Sequence, residues 1–347
     1  MRLLILNYSM SSSSLVFSHQ LETVNQLINE FTHTTVVTAE ATTEQDFDNL
    51  KVISTNWVEG RRIKSALRFL RTVVPIVIKN RDLVVFSHMT DVQSFLIAPL
   101  CWLLRMKHIL WYAHMSRSPF LYLSYPFLTR VLTSTTGSCP IKGHKVLDIG
   151  QSVDANIFAS ESTPSFPPLR WYYVGRIDPS KRVEHVINAI MRVRRMGWHI
   201  QLDIFGTASS QETKPYESDL HEKFRQQIAE GWLKFKGPIA REEIREMALQ
   251  RDGFVNAFVG SLDKTIVEAV LSRRLIATNN PEYLKSFQSP DKTFLKNSTL
   301  LSDQIIFLMN LKPTEARELL DYNYYLALNN HSSTVWHTRL VKVLRHA

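Results

Sequence analysis

Short apolar runs rich in β-branched and aromatic residues recur along this chain, separated by segments of helix length. That alternation limits its possible folds more than any other feature. In the first half the runs are Leu3–Leu6, Val52–Ile53, Leu83–Phe86, Ile109–Tyr112 and Val146–Ile149. Leu21, Val24, Leu27, Ile28 and Phe31 recur at helical spacing, which predicts a helix starting near His19 with one face on the sheet. Strands that alternate with helices point to parallel sheets, because parallel neighbours need a long crossover. The pattern lapses from Ser160 to Pro168, which holds three prolines and no period. A second alternation then brings strand candidates Trp171–Val174, Ile200–Phe205, Phe254–Phe258 and Leu275–Thr278, and the helical stretches 314–328 and 333–345 close the chain. The expected fold class is α/β, with two Rossmann-like domains. Residues 1–158 form the first, 159–168 a linker and 169–330 the second, and 331–347 is a C-terminal helix that can pack back on the first. Ligands of open α/β sheets bind beyond the carboxyl ends of the strands, so a cleft between the two domains is the expected site.

With 347 residues, 44% of them hydrophobic, the chain is long enough for two separate cores. Its two cysteines, Cys101 and Cys139, lie far apart with no His or Cys at metal-ligand spacing. Neither a disulfide framework nor a zinc site is indicated, and a reducing, cytoplasmic setting fits. Met1–Leu6 runs directly into a strand-like segment and lacks the features of a signal peptide, so the whole chain reads as the mature one. The most apolar stretch, Phe95–Leu104, is interrupted by Pro99 and followed by Arg105, Lys107 and His108, which reads as a core helix, not a membrane span. A formal charge of +9 and a pI near 9.5 imply attraction to polyanions. The cations are scattered, and no nucleic-acid-binding signature accompanies them, so nucleic acid is not an expected partner.

Two segments carry the chemistry. The first strand of the second half runs into Gly175-Arg176-Ile177-Asp178-Pro179-Ser180-Lys181, and a helical pattern begins at Val183. Gly175 permits a close turn, and a helix start beside Arg176 and Lys181 favours a diphosphate. Further on, Gly260, Ser261, Leu262, Asp263, Lys264 and Thr265 form a small-residue loop that leads into Ile266-Val267-Glu268-Ala269. Amides at that helix start can hold phosphate oxygens, Ser261, Lys264 and Thr265 add donors, and Glu268 can accept from ribose hydroxyls.

Together these segments resemble the donor domain of glycosyltransferase family 4, whose pattern is Gly-Arg with a Lys five residues on, then a small-residue loop and Glu-Ala on a helix. Val174–Lys181, Leu202–Gly206, Phe235–Gly237 and Gly260–Ala269 fall in the family's order. The first half matches more faintly, through Trp111-Tyr112-Ala113-His114 and Ile149-Gly150-Gln151-Ser152-Val153-Asp154. The resemblance implies the GT-B fold, two Rossmann-like domains facing across a cleft. It also implies a retaining transfer of a sugar from a UDP- or GDP-linked donor to a hydroxyl of a glycan or lipid-linked acceptor. Arg176 and Lys181 would neutralise the departing diphosphate in place of a metal, with no cofactor beyond the nucleotide sugar. His114 would lie near the transferred sugar, and His88 is similarly placed. Asp46-Phe47-Asp48 has no phosphate-binding context and is not a metal site.

The sequence also departs from the family. The first of the family's paired glutamates is replaced by Gly260, although some members also read Gly-Ser-Leu-Asp-Lys; Asp263 or the backbone must then take over its contacts, or sugar selectivity differs. The first N-terminal loop offers Ser11-Ser12-Ser13-Ser14 instead of glycines. Arg61, Lys64, Arg68 and Arg71 share one helix face, with Ile63, Leu67 and Leu70 on another, and such a basic face suits the cytoplasmic side of an anionic membrane as well as plain solvent. The alternatives are an epimerase or phosphorylase on the same architecture, or a nucleotide-sugar-binding protein whose catalytic contacts have decayed.

Overall fold

The computed structural model describes residues 1–11, 18–41, 47–287 and 300–346. Ser12, Ser13 and Ser14 of the serine loop and Asp46 of the Asp-x-Asp triplet lie outside the described residues. The chain divides into two compact units, residues 1–149 with 337–347, and residues 150–336.

Unit 1 runs β1 (Arg2–Met10), α1 (Ser18–Leu27), β2 (His33–Ala41), β3 (Leu50–Ser54), α2 (Arg62–Lys79), β4 (Leu83–His88), α3 (Asp91–Leu103), β5 (His108–Trp111), α4 (Pro119–Ser124), β6 (Arg130–Thr133) and β7 (Val146–Asp148). Its seven strands pair in parallel in the order β3-β2-β1-β4-β5-β6-β7. Leu3 to Leu6 of β1 are buried in succession, as expected of a central strand covered on both faces. Leu4, Leu6 and Val85 meet Phe69, Val73 and Val77 of α2 and Ile97 and Cys101 of α3. The apolar 95–104 stretch is thus a core helix over most of its length, but Trp102 and Leu103 at its end are exposed. On α2 the buried positions are Ser65, Phe69, Val73 and Val77, whereas Ile63 and Leu67 are 80% and 51% exposed. The apolar residues grouped with Leu70 in the sequence therefore lie largely on the outward side, next to Lys64 and Arg71.

Unit 2 runs α5 (Ala155–Phe158), β8 (Arg170–Val174), α6 (Val183–Arg195), β9 (Gln201–Phe205), α7 (Lys214–Lys223), α8 (Arg225–Ala229), β10 (Leu233–Gly237), α9 (Ile244–Leu249), β11 (Gly253–Asn256), α10 (Lys264–Leu271), β12 (Leu275–Thr278), α11 (Pro281–Ser286), α12 (Leu301–Met309) and α13 (Pro313–His331). Its strands are parallel in the order β10-β9-β8-β11-β12. The last helix, α14 (Ser333–His346), belongs to unit 1 from His337 onward. There Arg345 pairs with Glu30 at 2.7 Å, and Lys107 donates to the Arg345 carbonyl at 2.8 Å.

The division falls at Ile149/Gly150, and the proline-bearing 160–168 segment lies within unit 2. The reason is hydrogen bonding: Ser160 N donates to the Leu271 carbonyl at 3.1 Å, and Arg273 Nε donates to the Ser160 carbonyl at 2.8 Å. Asp252, buried at the start of β11, accepts from the backbone N–H groups of Ser165, Leu169 and Arg170 at 3.2, 3.1 and 2.9 Å and from Arg170 Nη2 at 3.1 Å. Asp252→Ala would leave three backbone donors and the Arg170 guanidinium without their acceptor, and a loss of at least about 3 kcal/mol is expected. Urea denaturation followed through the buried Trp171 measures it, and an unchanged midpoint would show that the segment is held by something else.

Candidate functional site

In unit 2 the first strand, β8, lies inside the sheet between β9 and β11. The chain order reverses there, so the connections after β8 and β11 run apart and leave a crevice at their carboxyl ends. The two strands pair only through Gly253↔Trp171 and Phe254↔Tyr172, so they separate before either ends. Gly175–Lys181 leaves β8 at this point, and Ala257–Asp263 leaves β11. The two motifs, about eighty residues apart in sequence, come together for that topological reason.

The β8 loop turns tightly. Gly175 N donates to the Phe205 carbonyl at 3.0 Å and Tyr173 Oη to the Arg176 carbonyl at 2.8 Å. Gly206 after β9 has φ +137°, and a Cβ there would stand 1.9 Å from the Gly175 carbonyl oxygen, so only glycine lets the two loops approach. Asp178 caps the short helical turn that follows, accepting from Ser180 N at 2.9 Å. Arg176 is held loosely: its side chain is 54% exposed, and its Nε is 3.7 Å from Asp178.

Lys181 is held closely. Its Nζ lies 2.5 Å from Asp263 Oδ2 and 4.0 Å from the centre of the Phe258 ring, with the lysine and aspartate side chains only 11% and 15% exposed. Burial works to raise the Asp263 pKa, but the adjacent ammonium outweighs it and holds the carboxyl below its ordinary value. Gly260 has a local cause as well, since a Cβ there would lie 2.4 Å from the tip of the Phe258 ring. The aromatic ring fills the space into which a side chain at 260 would project.

Three side chains outside the sequence-derived set fix this loop. Asn280, fully buried, caps α11 by accepting from Glu282 N and Tyr283 N, and it donates to the Ser261 carbonyl at 2.9 Å. Gln151 donates to the Leu262 carbonyl at 2.6 Å, and Asn256 accepts from Phe258 N at 2.8 Å. The Asn280-Pro281 pair carries a helix-start signal that could have exposed the first of these; Gln151 lies in the Ile149–Asp154 segment quoted for the family resemblance, but nothing in the sequence marks its contact or that of Asn256 with this loop. Lys264 and Thr265 begin α10, one turn before Glu268. Glu268 is 5% exposed on a helix that is buried from Ile266 to Leu271.

His114 belongs to unit 1, where a cavity of about 950 Å³ lies at the corresponding β1/β4 switch point. Gln20 braces that point by accepting from Tyr8 N and Ser9 N at 2.9 and 3.1 Å and donating to the His88 carbonyl at 3.1 Å. Tyr8, Trp57, Phe95, Tyr112 and Phe120 give the cavity an aromatic lining, with Arg62 and Arg117 offset by Glu40 and Asp91. His114 also lines it. Its Nδ1 accepts from Ser116 N at 2.9 Å, so the neutral ring carries its proton on Nε2 and acts there as a donor. His88 is buried in unit 1.

Introducing a carboxylate as Gly260→Glu should lower the stability of unit 2, with Phe258→Ala/Gly260→Glu better tolerated than Gly260→Glu alone. Thermal unfolding of the three proteins checks this; equal melting of the single and double variants would mean that the ring does not obstruct position 260.

No protein-family model matches the chain, and no curated protein matches it in sequence. Solved structures do match in fold. HepE from Anabaena, determined in complex with UDP and glucose, is 14% identical over 100% of both chains, with a TM-score of 0.73. Sucrose-phosphate synthase from Thermosynechococcus elongatus is 12% identical over 99% of this chain and 98% of its own, again at TM-score 0.73. The lipopolysaccharide outer core galactosyltransferase WaaB is 10% identical over 99% of both, at TM-score 0.68. At these identities the likeness is one of architecture: the chain has the α/β GT-B fold, with a parallel Rossmann-like sheet in each unit.

Proposed function

We propose that the chain is a glycosyltransferase that carries a sugar from a nucleoside-diphosphate donor held by unit 2 to an acceptor hydroxyl, with retention at the transferred carbon. The observation that carries this reading is the contact of Lys181, from the β8 loop that also bears Arg176, with Asp263 at the start of α10, at the β8/β11 switch point. In the reaction the bond from the sugar's anomeric carbon to the β-phosphate oxygen breaks, and its electron pair leaves with the diphosphate. The acceptor oxygen bonds that carbon and gives up its proton. Cations and helix amides placed where the leaving charge develops stabilise it more than they stabilise the intact donor. The resemblance to family 4 supports retention. HepE binds UDP and glucose, and by analogy the donor here is UDP-linked.

In this reading Arg176 and Lys181 supply the charge that a divalent ion would otherwise supply, and no other cofactor takes part. Glu268 receives the ribose hydroxyls. The aromatic cavity of unit 1 takes the acceptor, since sugar rings and apolar chains both pack on such faces, and His114 Nε2 donates to an oxygen there. Release of nucleoside diphosphate, measured with and without acceptor, tests the reading; an epimerase would convert the donor without net release. Arg176→Ala is expected to lower turnover at least about tenfold with the fold intact. Glu268→Gln should weaken donor binding by about 1–3 kcal/mol. Loss of transfer in EDTA with recovery in manganese would refute the assignment of leaving-group charge to the two side chains.

We also propose that unit 1 docks on the cytoplasmic face of an anionic membrane, which suits a lipid-linked acceptor. No helix among the described residues is long and apolar enough to cross a membrane, so the binding is peripheral. α2 has no acidic residue, and its outward side sets Ile63, Leu67 and Ile78 beside Lys64 and Arg71. Arg68 is partly engaged, donating to the Thr55 and Asn56 carbonyls at 3.1 and 3.3 Å. Flotation with anionic vesicles at low salt should fall when Lys64 and Arg71 become alanine, each cation being worth about 1 kcal/mol near such a surface. Equal flotation of the variant and the parent would remove the membrane from the picture.

A further inference from the structure

We propose that Asp263 is a built-in counter-anion that shares Lys181 with the donor's diphosphate and so makes the site favour the intact nucleotide sugar over the free nucleoside diphosphate. The inference rests on the donor reading of unit 2 and adds a selectivity to it.

The geometry assigns this role. Lys181 is confined between the Phe258 ring, 4.0 Å from its centre, and the Asp263 carboxylate at 2.5 Å. Taking an ammonium out of water against an aromatic face has to be offset by an anion close by, and Asp263 is that anion. Asp263 is also the residue immediately before α10, so it stands at the positive end of the helix. The two features that would draw a phosphate, the lysine and the helix start, therefore already face one negative charge. A phosphate oxygen bonded to Lys181 at an ordinary distance of about 2.8 Å would lie within about 5 to 6 Å of the carboxylate, close enough for like charges to oppose each other strongly in a partly buried site.

That opposition distinguishes substrate from product. In a nucleotide sugar each phosphate is a diester with a single negative charge. Once the sugar has left, the terminal phosphate keeps only its anhydride link and gains a second ionisation near pH 6, so the product carries nearly one charge more at neutral pH. The additional charge is on the phosphate nearest the reaction. Arg176 is half exposed, so water screens its attraction for the same charge more than it screens the opposition inside the partly buried Lys181–Asp263 pair. Asp263 therefore weakens the hold on the product more than the hold on the donor, which favours release after each transfer.

Calorimetric titration of the full chain with UDP, UDP-glucose and the β-methyl ester of UDP tests this, with GDP, GDP-mannose and the corresponding ester as the parallel series. Asp263→Asn is expected to tighten UDP at least about tenfold and UDP-glucose by markedly less. If the variant instead weakens UDP-glucose and leaves UDP unchanged, Asp263 is a sugar contact and the proposal is wrong. The parent protein carries a second test that needs no variant: the methyl ester, which has the sugar's charge state without the sugar, should bind at least as tightly as UDP. UDP binding about tenfold more tightly than its ester would overturn the proposal while leaving the donor site intact. If the parent binds no member of either series, the donor reading itself fails, and this proposal with it.

Discussion

Parallel pairing is the constraint on which the rest of this structure depends. A strand can join a parallel neighbour only through a crossover, and in each unit the first strand, β1 or β8, ends up inside the sheet with later strands on both sides. The connections on either side then diverge, so backbone groups at the strand ends lose the neighbours that a simple hairpin would give them. Side chains answer this in both units. Gln20 takes up two N–H groups at the end of β1 and reaches the carbonyl at the end of β4. Asn280 and Gln151 hold the carbonyls of Ser261 and Leu262 after β11. The crevices that result are where the charged residues of unit 2 and the aromatic cavity of unit 1 lie.

Much of this was legible because burial on both faces writes itself as uninterrupted apolar runs. Leu3–Leu6, Leu83–Phe86, Trp171–Val174 and Leu275–Thr278 all fall in strands. β2, β6 and β10 were harder to see. In β2 the sequence His-Thr-Thr-Val-Val-Thr-Ala-Glu-Ala buries threonines along with valines, so polarity masks a buried strand. β10 places lysines at alternate positions, which at four or five residues cannot be told from a loop. The helix α2 shows the converse. Its spacing marks a helix, but the side that packs inward is set by Phe69, Val73 and Val77 together, and Ile63 and Leu67 are left outward.

Sequence shows which charges a site owns but not which of them face one another. Gly175–Lys181 and Gly260–Glu268 stood out in the sequence as candidate phosphate-facing segments, and the structure brings their loops together through Lys181 and Asp263. The contact between Lys181 and Asp263 spans 82 positions and depends on how two loops leave neighbouring strands. The same holds for Phe258 and Gly260, which lie two residues apart yet are coupled only because the chain folds the ring back over the glycine. The glycine at 260 thus has a local steric cause, and the carboxylate three residues further on meets Lys181.

Glu268 completes the electrostatic argument from the opposite direction. α10 is buried from Ile266 to Leu271, and in such a segment an alanine or leucine would pack without loss, whereas a carboxylate has to be compensated for leaving water. Its charge reaches Tyr172 on β8, whose hydroxyl is pushed well up the pKa scale by burial first and by Glu268 in addition, while Arg274 and Arg251 pull it the other way. The carboxylate therefore belongs to a set of charges, with Arg274 and Arg251, that act on the buried Tyr172 hydroxyl. An acid kept in a buried helix is a local inconsistency of the kind that marks a candidate functional position, and here it lies about one turn from the residue that holds Lys181.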